Sequence, residues 1–165
     1  MKKNFTKCSI VLLIIFLFID PFQEAEAKKT QNFWIRNLEG DRFDTRRHKK
    51  PYVISFFFVN CIPCIKEIPE LFTMMSEEFP EAKVLFINPV EEDTQRDISN
   101  FAKKLRIPEE NFYRDSFGSV SKKFFKGKYF FPTIVGVSQR KMIFRYSGLD
   151  DKIKDDIREI LSTEG

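Results

Sequence analysis

An α/β fold, with a central sheet flanked by helices, is predicted by three observations. Apolar segments of strand length alternate with amphipathic segments of helical period between residues 52 and 105, giving strand, helix, strand, helix. A further strand, a hairpin return and a closing amphipathic segment fill the C-terminal third. Once residues 1–27 are set aside as a leader, 138 residues remain, enough for one domain with a buried core and too few for two.

The leader rests on its own pattern. Lys2, Lys3 and Lys7 precede an unbroken apolar run over residues 10–19, which Asp20 and Pro21 end. Ten residues fall well short of the roughly twenty that a bilayer span needs. Ala25-Glu26-Ala27 supplies a small-x-small cleavage site, so residues 1–27 read as a signal peptide cut after Ala27, with an uncleaved anchor as the alternative. Cys8 lies before the apolar run, whereas a lipid-modified cysteine would follow it, so it leaves with the signal. The expected location is extracytoplasmic or periplasmic, where disulfides form and must be managed. The formal charge is +4, and the mature chain keeps it with 25 basic and 21 acidic residues. So modest and interspersed an excess does not point to nucleic acid.

Along the mature chain, residues 33–38 read as a strand, Glu39-Gly40-Asp41 as a turn, and Arg42-Phe43 as a short return strand, with Trp34 as a packing residue. Arg46-Arg47-His48-Lys49-Lys50 reads as a solvated loop. Residues 52–59 form an apolar, β-branched and aromatic strand. The helix that follows runs to about residue 79, with Ile65, Ile68, Leu71, Phe72 and Met75 as its core stripe and Pro69 as an expected kink. A strand over 83–88 is closed by Pro89, and a helix over 94–105 turns Ile98, Phe101, Ala102 and Leu105 inward before Pro108 stops it. Residues 111–114 are a loop or edge strand, and Ser116 is expected to cap a helix through Phe125. Residues 122–131 interleave bases with aromatics. Such a pattern suits single-stranded nucleic acid, but export and balanced charge favour a helix end and turn, or one wall of a partner-protein groove. A strand from Thr133, a turn at Ser138-Gln139-Arg140-Lys141, a strand over 142–146 and a helix over 150–161 complete the order.

Chemistry concentrates in Asn60-Cys61-Ile62-Pro63-Cys64-Ile65-Lys66-Glu67-Ile68-Pro69, which holds the only cysteines of the mature chain. A strand delivers Cys61 to the first turn of a helix, where free N–H groups and the positive end of the helix dipole stabilise an anion. A thiol there loses its proton more easily, and the thiolate is the nucleophile. Cys64, one turn later, is placed to attack a mixed disulfide formed by Cys61. Zinc would need about four ligands; there is no second cysteine pair and His48 is the sole histidine, so no metal is expected. Haem attachment needs a histidine where Ile65 stands. A structural disulfide closing so short a loop stabilises little. Dithiol–disulfide exchange, with no organic cofactor, is the favoured reading.

The pattern Cys-x-Pro-Cys-x-x-Glu-x-Pro over residues 61–69 resembles the active site of the thioredoxin-like superfamily. Within it, the pattern is most similar to the TlpA/ResA-type extracytoplasmic thiol–disulfide oxidoreductases. The resemblance covers residues 33–162 and includes Leu38-Glu39-Gly40 upstream. It implies a thioredoxin-like fold: a central mixed β-sheet flanked by helices, with a short N-terminal β extension. It implies that Pro132 is a cis-proline packed opposite the cysteines, that Phe131 pairs by its backbone with a substrate chain beside Thr133, and that Ile62 and Pro63 border the substrate. A strand-start proline is the bland alternative for Pro132. Glu67 matches the motif's acid and would accept a proton from Cys64, although a helix dipole alone also favours an acid there. Two departures stand out: Asn60 replaces the tryptophan before the first cysteine of thioredoxin, and Ser55 replaces its buried aspartate. Members of this group mostly act as reductants on protein disulfides, often in cytochrome c maturation, recharged by a membrane thiol–disulfide carrier. Two other classes stay open. A peroxidase of the same superfamily would need a Pro-x-x-x-Thr/Ser-x-x pattern where residues before Cys61 are apolar, and a binding or chaperone module would keep the pair as a static disulfide.

Overall fold

The computed structural model describes residues 29–164, so the signal-peptide reading of residues 1–27, with Cys8, lies outside the described residues. Seven strands and four helices follow in the order β1 (Trp34–Arg36), β2 (Arg42–Asp44), β3 (Tyr52–Phe56), α1 (Ile62–Glu78), β4 (Lys83–Asn88), α2 (Gln95–Leu105), β5 (Phe112–Arg114), α3 (Ser121–Phe124), β6 (Thr133–Ser138), β7 (Lys141–Ser147) and α4 (Asp151–Ser162). The central sheet has the strand order β5-β4-β3-β6-β7. β3, β4 and β5 are parallel, while β6 and β7 join antiparallel, so the sheet is mixed.

Side-chain alternation divides the core between the two faces of this sheet. Val53 and Phe57 join Val84, Phe86, Ile134 and Phe144 under α1, α2 and α4. Ile54, Phe56, Leu85, Ile87 and Val135 face the other way, where the β1–β2 hairpin and α3 cover them with Phe33, Ile35, Phe43, Phe124 and Phe125. The hairpin is the expected N-terminal extension, turning at Gly40 with φ +96°. It is tied to the sheet edge where the Leu38 N–H donates to the Phe112 carbonyl.

Several expectations shift for local reasons. The strand over 52–59 ends at Phe56, because the following residues form the turn that enters α1. Of residues 111–114, Phe112–Arg114 resolve as an edge strand parallel to β4, while Asn111 ends a 3-10 turn before it. The helix expected from Ser116 is only Ser121–Phe124, and Asp115 does the capping. Its carboxylate accepts the Val120 and Ser121 N–H groups and both serine hydroxyls, of Ser119 and Ser121. Trp34 is 52 % exposed, not packed inward; the Arg42 guanidinium lies 4.7 Å over its ring, while Phe33 and Ile35 are the buried neighbours. α1 continues through Pro69 to Glu78. The β6–β7 turn places Gln139 and Arg140 at positive φ (49° and 64°) without glycine or asparagine, as a two-residue hairpin requires.

One position in β6 is fixed by sterics. A Cβ on Gly136 would stand 2.2 Å from the Phe144 ring on β7, beside the bulge that shifts register between Gly136 and Val137. Because Phe144 is buried, it has little room to yield. Gly136→Ala is expected to destabilise the fold by about 1–3 kcal/mol, the range for overpacking a core. Denaturant unfolding at constant m-value measures it.

Candidate active site

Cys61 is the N-cap of α1, with extended backbone, and its sulfur accepts the Cys64 N–H at 3.3 Å. A cap has to be non-helical while its side chain meets the first free amides, which turns the Cys61 side chain inward toward Cys64. The two form a disulfide, with Cα atoms 5.2 Å apart. Ile62 and Pro63, between them, point outward, and Ile62 is 82 % exposed. Neither sulfur is open as the sequence led one to expect for Cys61: Cys61 is 2 % exposed and Cys64 0 %.

Two networks hold this turn. The Cys61 N–H donates to the Phe58 carbonyl at 3.1 Å. The Val59 N–H donates to the carboxylate of buried Asp93, which also receives the Asn88 amide at 2.7 Å. Arg114 closes the other side by donating to the Asp93 carbonyl at 2.8 Å. Sequence reading missed Asn88, Asp93 and Arg114. The available signal was an asparagine ending a buried strand with an acid five residues on, just before the Thr94 cap.

The cis-proline expectation is met: the Phe131-Pro132 bond is cis. Antiparallel pairing sets Thr133 opposite Phe56, so Pro132 sits at the end of β3 from which the cysteine turn departs. Phe131 is half-buried, with its ring 5.3 Å from that of Phe58. Among the described residues, neither its N–H nor its carbonyl joins a backbone hydrogen bond. Thr133 differs from its expected role: it is buried, and its hydroxyl donates to the Phe130 carbonyl at 2.7 Å. Its side chain therefore shapes the turn and is not offered outward.

Glu67 projects from the second turn of α1 toward the loop between β7 and α4. Its carboxylate oxygens lie 3.7 and 3.8 Å from the point that a Cβ on Gly148 would occupy, and the Gly148 N–H donates to the Pro132 carbonyl. Gly148, at φ +86°, thus joins the acid to the proline turn, a contact invisible in the linear order. Oε2 of Glu67 is buried without a hydrogen-bond partner among the described residues. Burial raises its pKa above the usual carboxylate value; the Leu149 amide opposes this, while Glu70 and Asp150 add to it. Ser55, at the place of thioredoxin's acid, is buried in mid-strand. His48 packs between Phe43 and Tyr52 at the opposite end of β3 and takes no part in the site. No group of three or more metal-ligating side chains occurs among the described residues.

Neither a protein-family model nor a curated protein matches this chain. Solved structures do. StoA from Bacillus subtilis is similar with a TM-score of 0.65 at 19% identity, over 79% of this chain and 96% of its own. A thioredoxin-family thiol:disulfide interchange protein from Chlorobium tepidum TLS gives a TM-score of 0.69 at 18% identity, over 86% and 98%. A secreted Mycobacterium tuberculosis disulfide oxidoreductase, described as homologous to E. coli DsbE, gives a TM-score of 0.64 at 17% identity, over 79% and 95%. With its mixed sheet, its cysteine pair heading α1 and its cis-proline at the facing strand end, this chain has the thioredoxin-like fold.

Proposed function

We propose that this chain is an exported, TlpA/ResA-type thiol–disulfide oxidoreductase that reduces disulfides in protein substrates through Cys61 and Cys64. The observation carrying this reading is the Cys61–Cys64 pair at the head of α1, at the same sheet end as the Phe131-Pro132 turn, where the Phe131 backbone groups have no backbone partner among the described residues. In the reduced protein, the Cys61 thiolate attacks a substrate disulfide. One substrate sulfur leaves as a thiolate and a mixed disulfide forms. Cys64, deprotonated with Glu67 as the proton acceptor, then attacks Cys61 and releases the second substrate thiolate. Two electrons pass from the pair to the substrate, and Cys61–Cys64 is left oxidised as in the structure.

The reductive direction and the refilling of the pair by a membrane thiol–disulfide carrier rest on the resemblance, as does a place in cytochrome c maturation. Extracytoplasmic location rests on the leader. Among the described residues no helix is long and apolar enough to cross a membrane.

Burial of both sulfurs favours a second reading, in which a binding module keeps the disulfide static. Equilibrating the purified protein with glutathione buffers and trapping free thiols separates the two. A reductase is expected to show a two-electron equilibrium at or below about −220 mV, in the range of glutaredoxins and thioredoxin. A value near −120 mV makes it an oxidant, and a pair that never exchanges with glutathione makes it a binding module.

A further inference from the structure

Charge is distributed very unevenly along the folded domain. Residues 116–149 carry seven bases (Lys122, Lys123, Lys126, Lys128, Arg140, Lys141 and Arg145) and no acid. The rest of the mature chain holds 18 bases against 21 acids. The whole positive excess thus falls within the α3–β6–β7 stretch of the sequence, with Lys122 and Lys123 on α3 and Lys126 and Lys128 on the connection that leads from it into Pro132.

That connection is bound to the active-site turn through a chain of rings. Phe125 packs on Phe56, Tyr129 on Phe125, Phe131 on Tyr129, and Phe131 on Phe58, whose carbonyl accepts the Cys61 N–H. Lys128 stands three residues before Phe131, a span of at most about 10 Å. Lys122 and Lys123 donate to neutral acceptors, the Phe117 carbonyl and Gln31. Lys126 and Lys128 are exposed and have no ion pair among the described residues. Phe130 beside them is 63 % exposed, an apolar contact next to two free cations. Outside this region the mature chain carries acids such as Glu91 and Glu92 after β4 and Asp150 and Asp151 at the start of α4.

We propose that residues 126–131 form a docking strip selecting substrate chains that are acidic beside their reactive cysteine. An incoming acidic segment lies along Lys126 and Lys128, sets an apolar side chain against Phe130, and pairs its backbone with Phe131, which brings its sulfur to Cys61. A basic segment meets Lys126 and Lys128 in that register and is repelled. The proposal rests on the exchange reading of Cys61–Cys64 and names its substrate class. Charges at the rim of an interface act mainly on encounter rate and are screened by salt.

The test uses three disulfide-bridged peptides identical except for flanking glutamates, serines or lysines, with bis(2-hydroxyethyl) disulfide as an uncharged small substrate. At low ionic strength, kcat/KM is expected to rank acidic over neutral over basic, with about tenfold or more between the extremes. At about 1 M salt, where screening falls to roughly 3 Å, the ranking should collapse. Lys126→Glu with Lys128→Glu should invert the ranking. Lys49→Glu with Lys104→Glu, the same charge change at exposed positions outside the strip, should keep it. Equal rates for the three peptides overturn the strip, as does a ranking that the control pair alters equally. Binding of the protein to anionic lipid vesicles without peptide selectivity also overturns it, in favour of a membrane-facing patch. No turnover of the small uncharged disulfide would instead refute the exchange reading itself.

Discussion

Cys61→Ser is expected to lose insulin-disulfide reduction down to the uncatalysed background, while Cys64→Ser accumulates mixed disulfides with its partners. The asymmetry follows from placement. Only a thiolate attacks a disulfide sulfur at useful rates, and a serine hydroxyl at the same cap is not deprotonated near neutral pH. Cys61 caps α1, where the helix dipole favours its thiolate and Ile62 and Pro63 project outward beside it, whereas Cys64 lies one turn inside the helix and is wholly buried. With Cys64 replaced, the first attack proceeds and nothing displaces the captured partner. Non-reducing electrophoresis after acid quench reads the trapped species, and a thermal melt of each variant separates lost chemistry from lost fold. Full turnover by Cys61→Ser would end the exchange assignment. Failure of Cys64→Ser to capture any partner from a disulfide-bearing substrate would favour the static-disulfide reading.

Exposure is the quantity that the linear pattern could not supply. Spacing and helix-start signals placed Cys61 at the head of α1 because strand period and helix period change there, and such local switches are visible residue by residue. Whether the sulfur faces out depends on the cap: a side chain that accepts the Cys64 N–H must turn inward, and it does. The proline was legible for a different reason, since a match to a known motif carried it, while register with Phe56 comes from pairing across 76 residues of chain. The Val59–Asp93 bond and the meeting of Glu67 with Gly148 were not legible, because each joins segments whose approach is decided by sheet order, whereas the local Asn88–Asp93 bond had a signal in the linear pattern. Trp34 shows the limit of composition: as the chain's largest apolar side chain it reads as core, yet strand alternation turns it outward and gives the inward places to Phe33 and Ile35.

Glu67→Gln separates the two roles open to that acid, and the expected result is about a hundredfold slower release from the mixed disulfide at neutral pH, the low end of what a positioned proton carrier contributes. Burial of the carboxylate favours its neutral form, so the folded pKa lies above the ordinary value of 4.5. Between that value and the raised one, the native state holds more protons than the unfolded chain. This contribution to stability is present at low pH and declines as pH rises through the window. Glutamine cannot titrate, so the variant should gain stability relative to the parent above the window. Catalysis should move the opposite way: above its folded pKa the carboxylate can take the Cys64 proton, so single-turnover release in the parent should rise with pH through that window, and the variant should lack this limb. Stopped-flow release measured from pH 4 to pH 8, beside urea unfolding over the same range, reads both. A variant that gains stability yet keeps the parent's release profile would show Glu67 to be merely tolerated beside Gly148, and would leave Cys64 without an assigned proton acceptor.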